Sequence, residues 1–325
     1  MTGSVLSVTE PPEDVVAEVA ALDRVLDGIV PAKELDRNLL VATWNLRAFG
    51  GLTKSWRAGE KDSPKRDLRD VRLIAAIVAR FDVVAVQEVK GDLRALRHLL
   101  KALGPDWAFT LTDVAGGDEG NDERLAFLFD TRRVKPSGLA CELVVQIAED
   151  TSLSATTIRR QFARTPYAVS FVTGGRTVIL VTLHVNYGDR GARLAELTEI
   201  ARWLAAWAER EDEWRHNVIA LGDFNIDRRD DAQYGAFTAT GLTPAPALID
   251  APRTIYDRPT TGHYYDQVAW FDDPAKGPVL SLVPTLGGYV DFPLHVHPGM
   301  AKSRLAAKIS DHYPLWMEFR LRGAT

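Results

Sequence analysis

Val218-Ile219-Ala220-Leu221-Gly222-Asp223-Phe224-Asn225 is an apolar run that closes on a carboxylate and a carboxamide two residues apart. It reads as a buried β-strand. Successive side chains of a strand point to opposite faces, so Asp223 and Asn225 share one face while Phe224 turns into the core. Gly222, lacking a side chain, lets a bulky group approach the backbone. A carboxylate and a carboxamide emerging together suit a hard cation and a phosphate oxygen, although Asp-x-Asn at a strand end also opens ordinary turns.

Three other segments repeat this design. Leu39-Leu40-Val41-Ala42-Thr43-Trp44-Asn45-Leu46 delivers Asn45 ahead of the loop signal Phe49-Gly50-Gly51. Phe81-Asp82-Val83-Val84-Ala85-Val86-Gln87-Glu88 carries a carboxylate at its tip, and Ile309-Ser310-Asp311-His312-Tyr313-Pro314-Leu315-Trp316 sets an acid beside an imidazole before the last strand.

In chain order the strings are Thr43-Trp44-Asn45, Val86-Gln87-Glu88, Thr182-Leu183-His184, Gly222-Asp223-Phe224-Asn225, Tyr265-Asp266-Gln267-Val268 and Ser310-Asp311-His312, which together span residues 43 to 312. In these strings and their order the chain resembles the endonuclease/exonuclease/phosphatase superfamily. That fold is shared by pancreatic-type deoxyribonuclease, exonuclease-III-like repair nucleases, sphingomyelinases and inositol-polyphosphate phosphatases. The resemblance implies a four-layer α/β/β/α sandwich.

Patterning agrees. Val16, Val19, Leu22, Leu26 and Ile29 fall at helical spacing, predicting an N-terminal amphipathic helix packed on the sheet edge within an extension over residues 1–36, ahead of a catalytic domain over 37–323. Leu68, Val71, Ile74 and Val78 mark a second helix, and Leu93, Leu96, Leu100 and Leu103 a third. Residues 123–130, 167–172 and 176–183 read as strands, the last two joined by the hairpin signal Thr173-Gly174-Gly175. Residues 192–210 return to helical spacing. Hairpins combined with helices that cannot all cover one sheet predict an α/β (α+β) chain of two packed, mixed and mainly antiparallel sheets with helices outside.

With 325 residues and 46% apolar content the chain can bury a sizeable core. No linker, repeat or low-complexity tract divides it. A single Cys141 excludes an intramolecular disulfide framework and a cysteine-based zinc site. No run of eighteen apolar residues occurs, and the first thirty residues lack the basic start and apolar core of a signal peptide, so a cytoplasmic protein without a membrane span is expected. The net charge of −5 speaks against a protein that coats nucleic acid but leaves room for local basic contacts. Arg159, Arg160 and Arg164 form one basic group, the loop from Lys54 to Arg66 a second, and Lys302, Arg304 and Lys308 a third. Each is expected to be solvated surface.

A phosphate ester resists attack because its oxygens are anionic and its leaving oxygen departs with charge; bound Mg²⁺ or Mn²⁺ answers both. Glu88 is the expected principal metal ligand, and the resemblance implies that Asn45 and Asp311 complete or steer the shell. Asp223 is expected to activate water, with Asn225 donating to a non-bridging oxygen. The family pattern pairs Asp266 with His312, leaving open whether the pair activates water or binds phosphate as an imidazolium. His184 is expected on the phosphate as a charged donor. Arg164 resembles the phosphate-binding arginine of deoxyribonuclease-like members. Asp266-Gln267 departs from the commoner acid-His or acid-Arg pair, and Tyr264 and Tyr265 read as strand aromatics ahead of base-stacking groups.

For substrate, Val185-Asn186-Tyr187-Gly188-Asp189 lacks the basic signature of inositol-phosphate phosphatases, and a secreted sphingomyelinase would carry a signal peptide. DNA is therefore the expected partner, with no stable protein partner inferred. A phosphatase or phosphodiesterase for a small-molecule or lipid phosphate is the alternative, and an inactive binding protein the remote one.

Overall fold

The twelve-residue strand β1 (Asn38–Phe49) is the spine of the first sheet. In this computed structural model, which describes residues 10–116, 120–143, 162, 164–208, 217–258, 262–273, 277–278 and 280–321, β1 runs antiparallel to β13 (Leu315–Leu321) and parallel to β2 (Val83–Lys90). Strands β4 (Glu123–Asp130), β3 (Trp107–Leu111) and β12 (Leu282–Tyr289) complete a six-stranded sheet in the order β12-β13-β1-β2-β4-β3.

The second sheet is built on β8 (Val218–Ile226), buried along its whole length. β8 runs parallel to β7 (Arg176–His184) and antiparallel to β10 (Tyr264–Asp273). β6 (Tyr167–Thr173), β5 (Lys135–Glu142) and β11 (Gly277–Pro278) extend it in the order β11-β10-β8-β7-β6-β5, and β9 (Leu242–Pro244) pairs with β10 off this path. The β6–β7 hairpin turns at Gly174 and Gly175, with φ of 49° and 71°, the left-handed pair that a two-residue turn demands.

Alternation along the strands sorts the apolar residues into three cores. Val41, Ala85, Phe127, Phe171, Leu180, Leu221, Trp270 and Phe319 fill the space between the sheets, where Phe171 packs edge-on to Phe127 and Phe129. Buried Gln87 ties the layers across this core by donating to Thr182 Oγ1 at 2.9 Å. On the outer face of the first sheet lie α1 (Glu13–Leu26), α2 (Leu68–Val78), α3 (Arg94–Leu103) and α6 (Lys302–Lys308). On that of the second lie α4 (Arg190–Ala208) and α5 (Ala232–Thr238). The result is the α/β/β/α sandwich expected from the sequence.

Leu68, Val71, Ile74 and Val78 form the buried stripe of α2, which opens with an Asp67–Asp70 capping box. α1 departs from expectation. It packs on α2, not the sheet edge, with Leu22 and Leu26 in the same core and Arg69 paired to Glu18 at 2.5 Å. Arg80, just past α2, reaches Asp23 at 2.7 Å. No helix among the described residues is long and apolar enough to cross a membrane.

Candidate active site

At one mouth of the sandwich the strand ends of both sheets face each other. On the second sheet three neighbouring strands align their polar tips, with His184 on β7 opposite Asp223 on β8, and Asp223 opposite Asp266 on β10. This close spacing is what Gly222 permits: its φ is +144°, and a Cβ there would meet the Leu183 carbonyl oxygen at 2.1 Å. The group that approaches Gly222 is thus the β7 backbone. Phe224 is fully buried, as alternation predicts. Asn225, with φ of 48°, donates from its side-chain nitrogen to the Val185 carbonyl at 2.6 Å, and its backbone N–H donates to Asp223 Oδ1 at 3.0 Å.

The first sheet supplies the opposing wall. Asn45 Nδ2 lies 3.1 Å from both Glu88 Oε1 and Asp223 Oδ2, so one carboxamide bridges the sheets. Glu88 sits at a register shift with φ of 61°, its second oxygen accepting from the Ala48 N–H at 2.8 Å. Non-glycine residues rarely adopt this conformation, and surrounding structure must hold them in it. Asp311 accepts from Arg47 Nη1 at 2.6 Å.

The Asp311–His312 turn is fixed on several sides. Ser310 Oγ donates to the Asn45 carbonyl and accepts from the His312 N–H, while Trp44 Nε1 donates to the His312 carbonyl. The Ile255 N–H donates to the Asp311 carbonyl, and the Tyr313 N–H to that of Arg253. His312 Nδ1 meets Asp266 Oδ2 at 2.6 Å, which fixes the ring and leaves Nε2 facing Asp223 Oδ2 at 3.9 Å. Burial opposes charge on His312, but Asp266, Asp223 and Asp311 outweigh it and raise the imidazole to about 10. Burial pushes Asp266 up to about 6, against the pull of His312.

Glu123, at the start of β4, belongs to this site and escaped the sequence reading. Its Oε2 lies 3.1 Å from His184 Nδ1 and 2.7 Å from Arg164 Nε, and its Oε1 accepts from Lys90 at 3.0 Å. His184 Nε2 in turn lies 3.7 Å from Asp223 Oδ2. Burial works against the Glu123 charge, yet His184 and Arg164 hold its carboxyl down at about 2. Arg164 is buried, and its Nη1 has no hydrogen-bond partner among the described residues. The only early signal for Glu123 was an acid opening a strand. Arg253 was missed as well; it is buried and donates to the Asp266 carbonyl at 3.0 Å.

Other expectations divide. Tyr264 is a strand aromatic whose hydroxyl donates to the Ile249 carbonyl, and buried Gln267 donates to the Tyr264 carbonyl. Tyr265 turns to the mouth, its ring 6.1 Å from that of His312 and stacked on His263 at 4.4 Å. Arg66 and Lys308, read as members of solvated basic groups, are both buried. Arg159 and Arg160 lie outside the described residues.

Glu88, Asp311 and the Asn45 carboxamide offer oxygen donors of the kind a hard divalent cation takes. Asp223, Asp266 and His312 also bring ligand atoms within 4.8 Å of one another, but His312 Nδ1 is already committed to Asp266.

Comparison with known proteins agrees with this geometry. The chain is 26% identical over 296 residues to a deoxyribonuclease of Thioalkalivibrio sp. (strain K90mix), covering 87% of this chain and 71% of that one. Its fold is similar to a mannosyl-6-phosphatase of Bacteroides thetaiotaomicron (TM-score 0.58, 18% identity, 86% of this chain and 99% of the other). It is also similar to D. rerio TDP2 complexed with a single-strand DNA product (TM-score 0.55, 16% identity, 87% and 98%). The profile of the Endonuclease/Exonuclease/phosphatase family matches residues 42–312, and the chain belongs to that family of phosphate-ester hydrolases.

Proposed function

We propose that this protein is a divalent-cation-dependent deoxyribonuclease that hydrolyses the phosphodiester bonds of DNA. The observation that carries the reading is the convergence of Asn45, Glu88, His184, Asp223 and the Asp266–His312 pair from two sheets onto one mouth. DNA as substrate is supported by the similarity to the Thioalkalivibrio deoxyribonuclease.

In this reading Glu88 and Asp311 would hold Mg²⁺ or Mn²⁺, with Asn45 orienting Glu88 through its 3.1 Å hydrogen bond. Bound there, the cation would neutralise phosphate charge and position the ester. Asp223 Oδ2, ringed by Asn45, His184 and His312, accepts the proton of the attacking water. His312, its Nδ1 held by Asp266, turns Nε2 to a phosphate oxygen, and His184, held by Glu123, does the same from the other side. The free N–H of the Asn225 carboxamide is left for a non-bridging oxygen. Arg164 acts through its ion pair with Glu123 and through its unpartnered Nη1.

The test incubates supercoiled plasmid, single-stranded DNA and a panel of phosphomonoesters with the protein and with Glu88→Gln, at low and moderate salt. Glu88-dependent nicking that weakens as salt rises is expected, because an acidic protein holds DNA through few basic contacts. Phosphate release from monoesters without nicking would replace this reading with that of a small-molecule phosphatase.

A further inference from the structure

Arg66 is almost wholly buried, yet its guanidinium makes no ion pair among the described residues. It is spent on main-chain carbonyls. Nε donates to Lys308 at 3.0 Å, Nη1 to Ala48 at 3.2 Å, and Nη2 to Leu46, Arg47 and Ile309 at 2.8, 3.0 and 3.0 Å. Its Cζ lies over the Phe49 ring, 5.0 Å from the centroid. These carbonyls come from two segments more than 240 residues apart in sequence, one following Asn45 and the other preceding Asp311.

The other side of the same backbone faces the site. Arg47 and Ala48 adopt φ of 36° and 47°, which turns their carbonyls toward Arg66 and their N–H groups the opposite way. The Arg47 N–H meets Asn45 Oδ1 at 3.0 Å and the Ala48 N–H meets Glu88 Oε2 at 2.8 Å. Left-handed backbone at two consecutive non-glycine residues is unfavourable and persists only where something holds it. A fork of N–H donors in fixed geometry can hold five carbonyls at once; the three donors of a lysine ammonium cannot.

We infer that Arg66 is a positioning residue for the cation site: by gathering the carbonyls of 46–48 and 308–309 it aims two N–H groups at Asn45 and Glu88 and sets the approach of Asp311. This rests on reading Glu88 and Asp311 as the cation's carboxylates. Arg66 touches neither cation nor substrate. Its effect passes through the peptide planes of Arg47 and Ala48.

The experiment measures Mn²⁺ binding to the full-length protein by calorimetry, beside thermal unfolding and phosphodiester turnover, for wild type, Glu88→Gln, Arg66→Lys and Arg66→Lys/Ala48→Gly. Arg66→Lys should weaken Mn²⁺ binding about 10- to 100-fold, the scale for groups that orient metal ligands. It should lower kcat with KM for the ester little changed. Glycine takes φ near +47° at no steric cost, so Ala48→Gly should recover at least part of the lost affinity in the double variant. Wild-type Mn²⁺ affinity in Arg66→Lys, with Glu88→Gln impaired, would overturn the inference and leave the site reading standing. Unimpaired Mn²⁺ binding by Glu88→Gln would instead overturn the site reading on which it rests. If Arg66→Lys alone does not fold, the double variant decides: folding with recovered affinity supports the inference, and failure to fold or to recover refutes it.

Discussion

Asn45 on one sheet and Asp223 on the other are joined by a 3.1 Å hydrogen bond, and the same amide nitrogen reaches Glu88. The two carboxylates, one from each sheet, thus share a single donor that the first sheet supplies. Asn45→Ala leaves both without it in a buried setting, where a lost partner costs about 1–3 kcal/mol. Turnover should fall about tenfold to a hundredfold, and thermal unfolding should shift down by roughly a few degrees. Asn45→Asp should be worse, because it sets a third carboxylate against the other two. Turnover within twofold of wild type for Asn45→Ala would remove the bridge from the mechanism.

Among the described residues, Asp266 is the only hydrogen-bond partner of His312 Nδ1. Asp266→Asn and His312→Ala should each lower kcat about a hundredfold or more, the scale of one acid–base or electrostatic group. Because the two act as a unit, the double variant should lose little beyond either single one. Additive losses would show that they act separately.

Removal of divalent cations by EDTA should abolish turnover, and Mg²⁺ or Mn²⁺ should restore it, since Glu88 and Asp311 would otherwise face phosphate as like charges. Undiminished hydrolysis after EDTA and exchange into metal-free buffer would refute the cation requirement.

Acid should unfold the protein through Glu123 and Asp130. Burial raises both carboxyls, but His184 and Arg164 around Glu123, and Arg132 and Lys33 around Asp130, bring each to about 2. A carboxyl held lower in the folded state adds stability above its unfolded value, and that stability disappears as pH falls toward the folded value. The unfolding free energy read from urea titrations should therefore drop between about pH 4.5 and 2, by on the order of 2 kcal/mol for Glu123 and less for Asp130, whose partner Arg132 is exposed. Glu123→Gln should flatten part of that slope; an unchanged pH profile would contradict it.

Gly222→Ala should destabilise by about 2 kcal/mol or more, since the added methyl meets the Leu183 backbone. A neutral urea midpoint would mean that β7 can move aside.

The strands, their faces and the order of their polar tips could be read from the chain because each is a local pattern: alternation buries Phe224 and leaves Asp223 and Asn225 at the mouth. What could not be read depends on partners distant in sequence. Arg66 and Lys308 look like members of solvated groups until the carbonyls of 46–48 surround one and Asp67 and Asp70 receive the other. Glu123 becomes part of the site only through the antiparallel register that sets it opposite Lys90 on β2. α1 was legible as an amphipathic helix but not in its seat, which α2 decides.

Half of the mouth stands on each sheet, and the Gln87–Thr182 bond and the aromatic cluster are what keep the halves in phase. Hydrolysis is then a property of the docked pair. During refolding, backbone circular dichroism should recover before turnover does, and a bulky substitution at Ala85, deep between the sheets, should slow the chemistry from a distance by setting one half ahead of the other.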